Sequence, residues 1–593
     1  MTPPETGRAW LWAIFVALLF CAGYPAMYAF RRAWQTHYPN LASQWANNGR
    51  FAVLGLFGTE SNQDELAYAA RAKEASLRPW PHDPFIKGFR SPRQAVNDAL
   101  TYAIMGAVIA VVGDMNGAWI LMRFLCCVAW FVLLHKMARK AGARSEASLF
   151  AAAFVTCFSY LLTFYFLPRL AWTGHPLGDL LRNAWTTLSY GRTESVFRLP
   201  RPGISYAFSF AASLLYIAAA ELKSWRACLG AGLLGGALAY VRADVWTSYV
   251  VATSLDALLE SIRKPRGAAR LWFSLLVTAV LSAPYLYFTL HIDPEFLDRS
   301  CGSYGRRFDA PSLVYLAVAA VGWWKARNAA QRFLACMAGA TFVMVNISLV
   351  LGYATEPWHW KLFGNIYVFL LLFTALPEKL QARPAAWRAL ALATALLAFL
   401  QGISYAAIHY PFQGLPRDYD GALTWLDRHT ERDAEVLSIN PEVDLLIPAY
   451  THDKVELGYY LSIVSDYPRT DNFRRLAGSL KALGADPSKY FRGVFLSTHS
   501  EEQNDVLNEG PRRGQIERPL LIWLYFHMHD RPREARSLFE EAARHPLPIK
   551  PDYLWFGRFE REFARKGPPS SWGGWREVYR NPSVTIYRAT SPS

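Results

Sequence analysis

The sequence has 593 residues, of which 52% are hydrophobic, and it carries a formal net charge of +15. This length is too great for one compact soluble domain, and the apolar residues are concentrated before about residue 411. Lysine and arginine fall in short segments between apolar runs and form no aromatic-interleaved basic patch, which argues against nucleic acid as a partner and favours a membrane protein.

The first apolar run, residues 9–30, has the length that a membrane-spanning helix needs. Arg8 precedes it as in a secretory signal, but Phe20 before Cys21 does not fit lipoprotein processing. We therefore interpret this run as an uncleaved helix.

Ten further runs of spanning length follow, at residues 117–135, 147–167, 203–220, 226–241, 244–259, 271–290, 312–324, 333–352, 362–377 and 387–407. Basic residues follow every second run, as at 136–144 and 263–270, which is the pattern of a cytoplasmic face. With the amino terminus inside, eleven spans predict that residues 411–593 lie outside the cytoplasm. The alanine- and arginine-rich composition favours a bacterial inner membrane.

One apolar stretch, residues 96–112, is left out of this count because including it would place the basic segment after residue 134 on the wrong side. We expect it to form a helix that lies along the membrane interface. The alternative, twelve spans, would turn the carboxy-terminal domain inward. A second break is expected near residues 240–249, which would leave Arg242 and Asp244 at an external turn.

The segment between the first two runs, residues 31–116, is the first external loop and contains a short amphipathic pattern. Asp64, Tyr68 and Arg71 are spaced i, i+4 and i+7, so they share one face of a helix. Ser61 and Asp64 also match a capping box, and this structural role is the favoured explanation from spacing alone.

The pattern as a whole resembles the GT-C superfamily of membrane glycosyltransferases, which includes aminoarabinose transferases and protein O-mannosyltransferases. The residues that carry the resemblance are Asp64, Glu65, Tyr68 and Arg71, followed by the proline-rich segment 78–85, an interface helix and Arg123. The resemblance implies that residues 1–410 form an α-helical polytopic catalytic domain in which Asp64 acts as the base. It also implies a polyprenyl-phosphate-linked sugar donor and an extracytoplasmic glycan, lipid or protein acceptor.

Such a reaction releases a lipid phosphate, whose negative charge needs cationic partners near the membrane surface. The candidate substrate-binding residues, besides Glu65, Tyr68 and Arg71, are Arg192, Glu194, Arg198, Arg201, Arg242, Asp244, His359 and Lys361. The cations at residues 192–201 and 359–361 have a plain alternative role in binding lipid headgroups, and the alternative for Arg242 with Asp244 is a structural ion pair. Asp179 and Glu194 are candidates for a second carboxylate that would assist the acceptor or hold Mg²⁺ or Mn²⁺, although no cluster has metal-ligand spacing.

Residues 411–593 have the alternating pattern of an α/β domain. A helix is predicted at 419–430 and strands at 434–439, 454–458, 492–498, 575–581 and 584–589. No catalytic set is evident here, so we expect a lid, or a role in acceptor recognition or complex assembly. Two other functions stay open for the whole chain: a transporter or lipid flippase, and a non-catalytic scaffold in which Asp64 is only a helix cap.

Overall fold

In the computed structural model of the chain, the described residues are 4–37, 51–53, 62–78, 82–90, 98–165, 199, 201–291, 303–354, 357–409, 414–458, 467–488, 532–557, 560–561 and 574–590. This part of the chain is mostly helical and has a small sheet near the carboxyl terminus.

The helices described up to residue 409 are α1 (Pro4–His37), α2 (Asn62–Leu77), α3 (Ala99–Val112), α4 (Met115–Lys140), α5 (Ser145–Tyr165), α6 (Gly203–Leu222), α7 (Trp225–Ala237), α8 (Ala243–Arg263), α9 (Pro265–Leu290), α10 (Leu313–Lys325), α11 (Ala329–Val345), α12 (Ser348–Leu351), α13 (Pro357–Thr374), α14 (Glu378–Gln381) and α15 (Pro384–His409). Two 3₁₀ turns, Leu238–Tyr240 and Ala310–Ser312, precede α8 and α10. Each of the eleven apolar runs overlaps one of these helices.

Among the described residues, five helices are long and apolar enough to cross a membrane: Met115–Lys140, Gly203–Leu222, Ala268–Leu290, Ala329–Leu351 and Pro384–Ile403. Large apolar side chains point outward from the bundle, and Leu276, Val280 and Leu400 are each more than half exposed. Exposure of this kind is typical of surfaces that face lipid. The architecture is therefore that of a helical membrane protein with five candidate spans by length and hydropathy.

Close packing between α7 and α9 depends on glycine. A Cβ atom at Gly232 would lie 2.7 Å from the carbonyl oxygen of Ser274, and one at Gly236 would lie 2.5 Å from Cβ of Leu281. Both distances are shorter than atoms can approach, so only glycine lets the two helices come this close.

The two ends of the bundle differ in character. Helix α4 has 26 residues and is therefore about 39 Å long. At its carboxyl end Lys140 pairs with Glu221, and Arg144 pairs with Glu378 at 2.6 Å. At its amino end Asn116 accepts a hydrogen bond from the hydroxyl of Tyr450 at 3.0 Å. The basic segments thus gather at one end, and the carboxy-terminal domain contacts the other.

Helix α3 packs along α2. Gly106 of α3 lies so close to the backbone of Ala75 and Ser76 that an added Cβ would approach both to 2.7 Å. The other face of α3 is apolar and exposed, with Val111 87% exposed. At 14 residues α3 is about 21 Å long, which is short for a hydrocarbon core of about 30 Å.

The carboxy-terminal domain contains helices and a five-stranded sheet. Its helices are α16 (Arg417–His429), α17 (Pro441–Tyr450), α18 (Arg469–Ala482) and α19 (Pro532–Arg544). The strands among the described residues are β1 (Phe51–Val53), β2 (Ser303–Tyr304), β3 (Tyr353–Ala354), β4 (Gly414–Pro416), β5 (Glu435–Leu437), β6 (Lys454–Val455), β7 (Tyr553–Phe556), β8 (Trp575–Arg580) and β9 (Thr585–Ala589).

The sheet has the order β6-β5-β7-β9-β8, in which β5 is parallel to β6 and β7, and β9 is antiparallel to β7 and β8. The terminal hairpin expected from the sequence is β8–β9. Strand β7 was not identified from the sequence, and the strand expected at 492–498 lies outside the described residues. All four residues of β7 are buried, so its sequence lacks the alternation of apolar and polar residues by which a strand is recognised.

Helix α2 and the segment that follows it meet the carboxy-terminal domain in what we call the docking interface, formed by Glu74 and Phe85 on one side and Lys454 and Val455 on the other. The ammonium group of Lys454 pairs with Glu74 at 2.7 Å, and both side chains are 3% exposed. The backbone N–H of Val455 donates to the carbonyl of Phe85 at 2.8 Å. A shared hydrophobic core continues from α2 and α3 into α17 and the sheet.

Candidate functional site

The amino-terminal turn of α2 is held by a buried ion pair. A carboxylate oxygen of Glu65 lies 3.3 Å from Nη2 of Arg123 on α4, and each side chain is 2% exposed. The other Glu65 oxygen accepts a hydrogen bond from the backbone N–H of Leu199 at 3.1 Å. These are the contacts of a structural carboxylate, and they tie α2 to α4 and to the segment before α6.

Asp64 lies in the first turn of α2, directly before Glu65. Its side chain lies outside the described part of the structure, so only its backbone position is defined. That position follows from the Glu65 ion pair, which brings the start of α2 next to α4.

Five charged side chains interact beside α2 and form what we call the arginine–aspartate cluster: Arg71, Asp98, Arg201, Arg242 and Asp244. A guanidinium nitrogen of Arg201 contacts Oδ2 of Asp98. Nε of Arg242 lies 2.7 Å from Oδ1 of Asp244. Three guanidinium groups against two carboxylates leave the cluster with a formal charge of +1.

Tyrosine rings line the cluster. The guanidinium carbon of Arg201 lies 4.9 Å from the ring centre of Tyr68, and Nη2 of Arg201 donates to the hydroxyl of Tyr102 at 3.2 Å. Arg71 lies over the ring of Tyr102 at 5.4 Å. Such rings hold guanidinium groups in place through cation–π contacts, and they carry no negative charge that would compete with an anionic ligand for the arginines.

Four separate parts of the chain bring the cluster together: α2, the start of α3, the segment before α6 and the turn between α7 and α8. The hydroxyl of Thr101 on α3 donates to the carbonyl of Val241 in that turn at 2.9 Å. Arg242 follows Val241 with extended backbone (φ −172°) and precedes α8, so the chain breaks here as expected.

The cluster is mostly buried, but one of its side chains is partly exposed at the protein surface. The side chain of Asp98 is 1% exposed, that of Arg242 is 8% exposed and that of Arg201 keeps 22% of its surface exposed. Burial raises the pKa of Asp98, while Arg201, Arg71 and Arg242 oppose this rise. The three arginines therefore only partly offset the cost of removing the charged Asp98 carboxylate from water.

Several buried polar atoms around the cluster have no hydrogen-bond partner among the described residues: Nε of Arg201, the hydroxyl of Tyr206 and Oδ2 of Asp244. Arg242 lies over the ring of Tyr206 at 6.0 Å, so these atoms share one region. Unsatisfied buried polar atoms are rare in native proteins, and their concentration here indicates a place for water or a polar ligand.

The start of α13 lies next to this region. Trp360 donates to the hydroxyl of Thr247 near the start of α8 at 3.2 Å, and the ring centre of Phe363 lies 4.9 Å from that of Tyr206. Lys361 pairs with Asp309 at 2.9 Å. His359 is half-buried at the same helix start.

Other predicted site residues are not described: Asp179, Arg192, Glu194 and Arg198 lie in the segment 166–198. Within the described ranges, no group of three or more histidine, cysteine or acidic residues could hold a metal ion. The expectation of Mg²⁺ or Mn²⁺ therefore stays a prediction. Cys126 and Cys127 are free, buried thiols.

Sequence reasoning missed Asp98 and Tyr102. Both lie at the start of the apolar stretch 96–112, where an aspartate before a helix suggests only a cap. Both contact Arg201, which is distant in the sequence, so their pairing leaves no local signal.

No model of a known protein family matches the chain, and no curated protein is significantly similar to it.

Proposed function

We propose that the chain is a GT-C-type glycosyltransferase that moves a sugar from a polyprenyl-phosphate-linked donor to an extracytoplasmic glycan, lipid or protein acceptor. The observation that supports it best is the arginine–aspartate cluster beside α2. Three guanidinium groups lie on or next to the helix that carries Asp64, and that of Arg201 keeps 22% of its surface exposed.

This arrangement suits the two charge changes of sugar transfer. An acceptor hydroxyl must lose a proton as it attacks the anomeric carbon, and a carboxylate such as Asp64 can accept it. The bond between the sugar and the phosphate breaks on the other side, and its electron pair leaves with the phosphate. Arginine is well suited to neutralise that phosphate because its planar group binds two oxygens at once.

The proposed topology has eleven spans, with the amino terminus in the cytoplasm and both α2 and the carboxy-terminal domain outside it. Contacts at the two ends of α4 support this arrangement, since the basic segments lie at one end and the docking interface at the other. Arg192, Glu194, Arg198, His359 and Lys361 are proposed as further contacts for the substrate.

Replacing Asp64 with asparagine tests the proposal. In membranes containing the full chain, we expect Asp64→Asn to lower sugar transfer from a polyprenyl-phosphate donor by about 100-fold or more, because a general base contributes roughly that much. Asparagine keeps the size of the side chain and its ability to cap the helix, so protein level and melting temperature should not change.

The matched control is Asp471→Asn, which removes a carboxylate from the first turn of another helix, α18. It should leave sugar transfer unchanged. Normal transfer by the Asp64→Asn variant would remove the catalytic role. Movement of the lipid across the membrane by the wild-type chain, without sugar transfer, would instead favour a flippase.

A further inference from the structure

The environment of Asp98 differs from that of an ordinary helix cap. Asp98 directly precedes α3, yet its side chain makes no hydrogen bond to the helix. Asp114, in the same position before α4, accepts a hydrogen bond from the N–H of Gly117. The carboxylate of Asp98 is instead turned to Arg201 and fully buried against it.

The contact between Asp98 and Arg201 leaves both groups incompletely satisfied. Nη2 of Arg201 is shared between Asp98 and the hydroxyl of Tyr102. Oδ2 of Asp98 and Nε of Arg201 lack an aligned hydrogen-bond partner among the described residues. A ligand with several acceptor oxygens could therefore satisfy Arg201 better than Asp98 does.

We propose that the Asp98 carboxylate is an internal counter-ion, which pairs with Arg201 before substrate binds and is displaced by the phosphate group of the substrate. This inference rests on the proposed function in one respect, since it takes the anion to be a lipid-borne phosphate. Asp98 thereby sets the affinity of the site: it keeps the arginines in place without substrate and competes with the phosphate when substrate arrives.

Charge and access support this role. With Asp98 present, the cluster has three guanidinium groups and two carboxylates, so an incoming phosphate meets a nearby like charge. Arg201 is the partly exposed member of the pair, at 22% against 1% for Asp98, so a ligand reaches the cation first. Burial raises the pKa of Asp98, which allows the displaced carboxylate to take up a proton from water.

Two variants remove the carboxylate while keeping the backbone. Asp98 has a φ of +58°, in the left-handed region that asparagine and glycine adopt most easily. We therefore expect Asp98→Asn and Asp98→Gly to fold, and a melting curve of each in detergent checks this. Because the variants differ in size and share only the loss of charge, a common effect on binding reports on the charge.

The experiment measures the dissociation constant of polyprenyl phosphate for the full chain in nanodiscs, with the neutral polyprenol of equal length as a reference. We expect Asp98→Asn and Asp98→Gly to bind the phosphate about tenfold more tightly, and Arg201→Gln to lose this binding. Polyprenol binding should be the same in all variants. The control Asp256→Asn removes a buried carboxylate paired with Arg332 at the other end of the bundle and should change nothing.

The outcomes separate the two proposals. If Arg201→Gln binds polyprenyl phosphate normally, the cluster is not a phosphate site and the proposed function loses its main support. If Arg201→Gln loses binding but both Asp98 variants bind no more tightly than the wild type, the phosphate site stands and the role of Asp98 is wrong. Displacement of the lipid by equimolar inorganic phosphate would show that the anion is not lipid-borne, which also overturns the inference.

Discussion

Glu456 in the carboxy-terminal domain illustrates how burial controls a single charge. Its carboxylate pairs with Arg475 at 2.9 Å and is 4% exposed. Burial, reinforced by the nearby carboxylates of Glu435 and Asp552, raises the pKa of Glu456 to about 7, although Arg475 opposes the rise. The folded domain therefore binds a proton that the unfolded chain releases near pH 4.5.

This shift predicts that the domain loses stability as the pH rises. Between pH 4.5 and pH 7 the folded state holds more protons than the unfolded state, so its free energy of unfolding falls across this window and stays lower above it. We expect the free energy of unfolding to fall by about 2 kcal/mol across this window. The Glu456→Gln variant should lack this fall because it has no carboxyl group to titrate. The measurement is the melting temperature of the full chain in detergent at pH 5 and pH 8.

Glu577→Gln is the control for this prediction. Glu577 lies on the surface, where Arg580 lowers its pKa, so it is ionised throughout the range from pH 5 to pH 8. Its replacement should leave the pH dependence unchanged. An equal difference between pH 5 and pH 8 in the Glu456→Gln variant and the wild type would contradict the assignment to Glu456.

At the scale of elements, the pairing of α2 with α3 decides where the cluster forms. Asp98 and Tyr102 lie at the start of α3, and Tyr68 and Arg71 lie on α2, so a shift of one helix along the other would separate them. Gly106 permits the close approach of the two helices. Hydropathy indicates that α3 is apolar, but only the tertiary structure shows that this short helix packs along α2.

Adding one methyl group at Gly106 tests this packing. We expect Gly106→Ala to destabilise the chain by about 1–3 kcal/mol, because the new Cβ would clash with the backbone of α2. Gly230→Ala is the matched control, since nothing lies within 4 Å of a Cβ there. It should be neutral or stabilise its helix by about 0.5–1 kcal/mol.

Thermal melting of both variants in detergent gives the comparison. Hydrogen exchange in residues 99–112 should rise in the Gly106→Ala variant alone. Equal melting temperatures for the two variants would mean that α3 does not pack tightly on α2.

For the whole molecule, the docking interface joins the helical bundle to the carboxy-terminal domain. Glu74 lies on the same helix as Asp64, and Lys454 connects it to the sheet. Arg78 extends this network to Asp433. The domain therefore contacts and holds the helix that carries the proposed base, which gives it a structural role in positioning that helix.

Lys454→Met is predicted to loosen the docking. It leaves the buried carboxylate of Glu74 without its lysine partner and with Arg78 at 3.5 Å as a remaining cation, which costs about 1–3 kcal/mol. Hydrogen exchange of the full chain should increase both in α2 and in β6.

The control is Lys87→Met, because Lys87 also links the loop to the domain through Asp552 but is 44% exposed. A surface pair of this kind contributes about 1 kcal/mol or less, so exchange in α2 should not change. Increased exchange confined to β6 in the Lys454→Met variant would show that α2 is held independently of the domain.

The sequence by itself determined the helical, apolar character of the chain before residue 411, the alternation of basic segments, the break at Arg242 and the terminal hairpin. These features depend on length, hydropathy and near neighbours, which a linear pattern records. Tertiary structure alone decided that Glu65 pairs with Arg123 and that Asp98 pairs with Arg201. It also decided that three arginines from distant segments share one region. Such contacts depend on how helices pack, and burial of a charge depends on what covers it, so neither leaves a trace in local spacing.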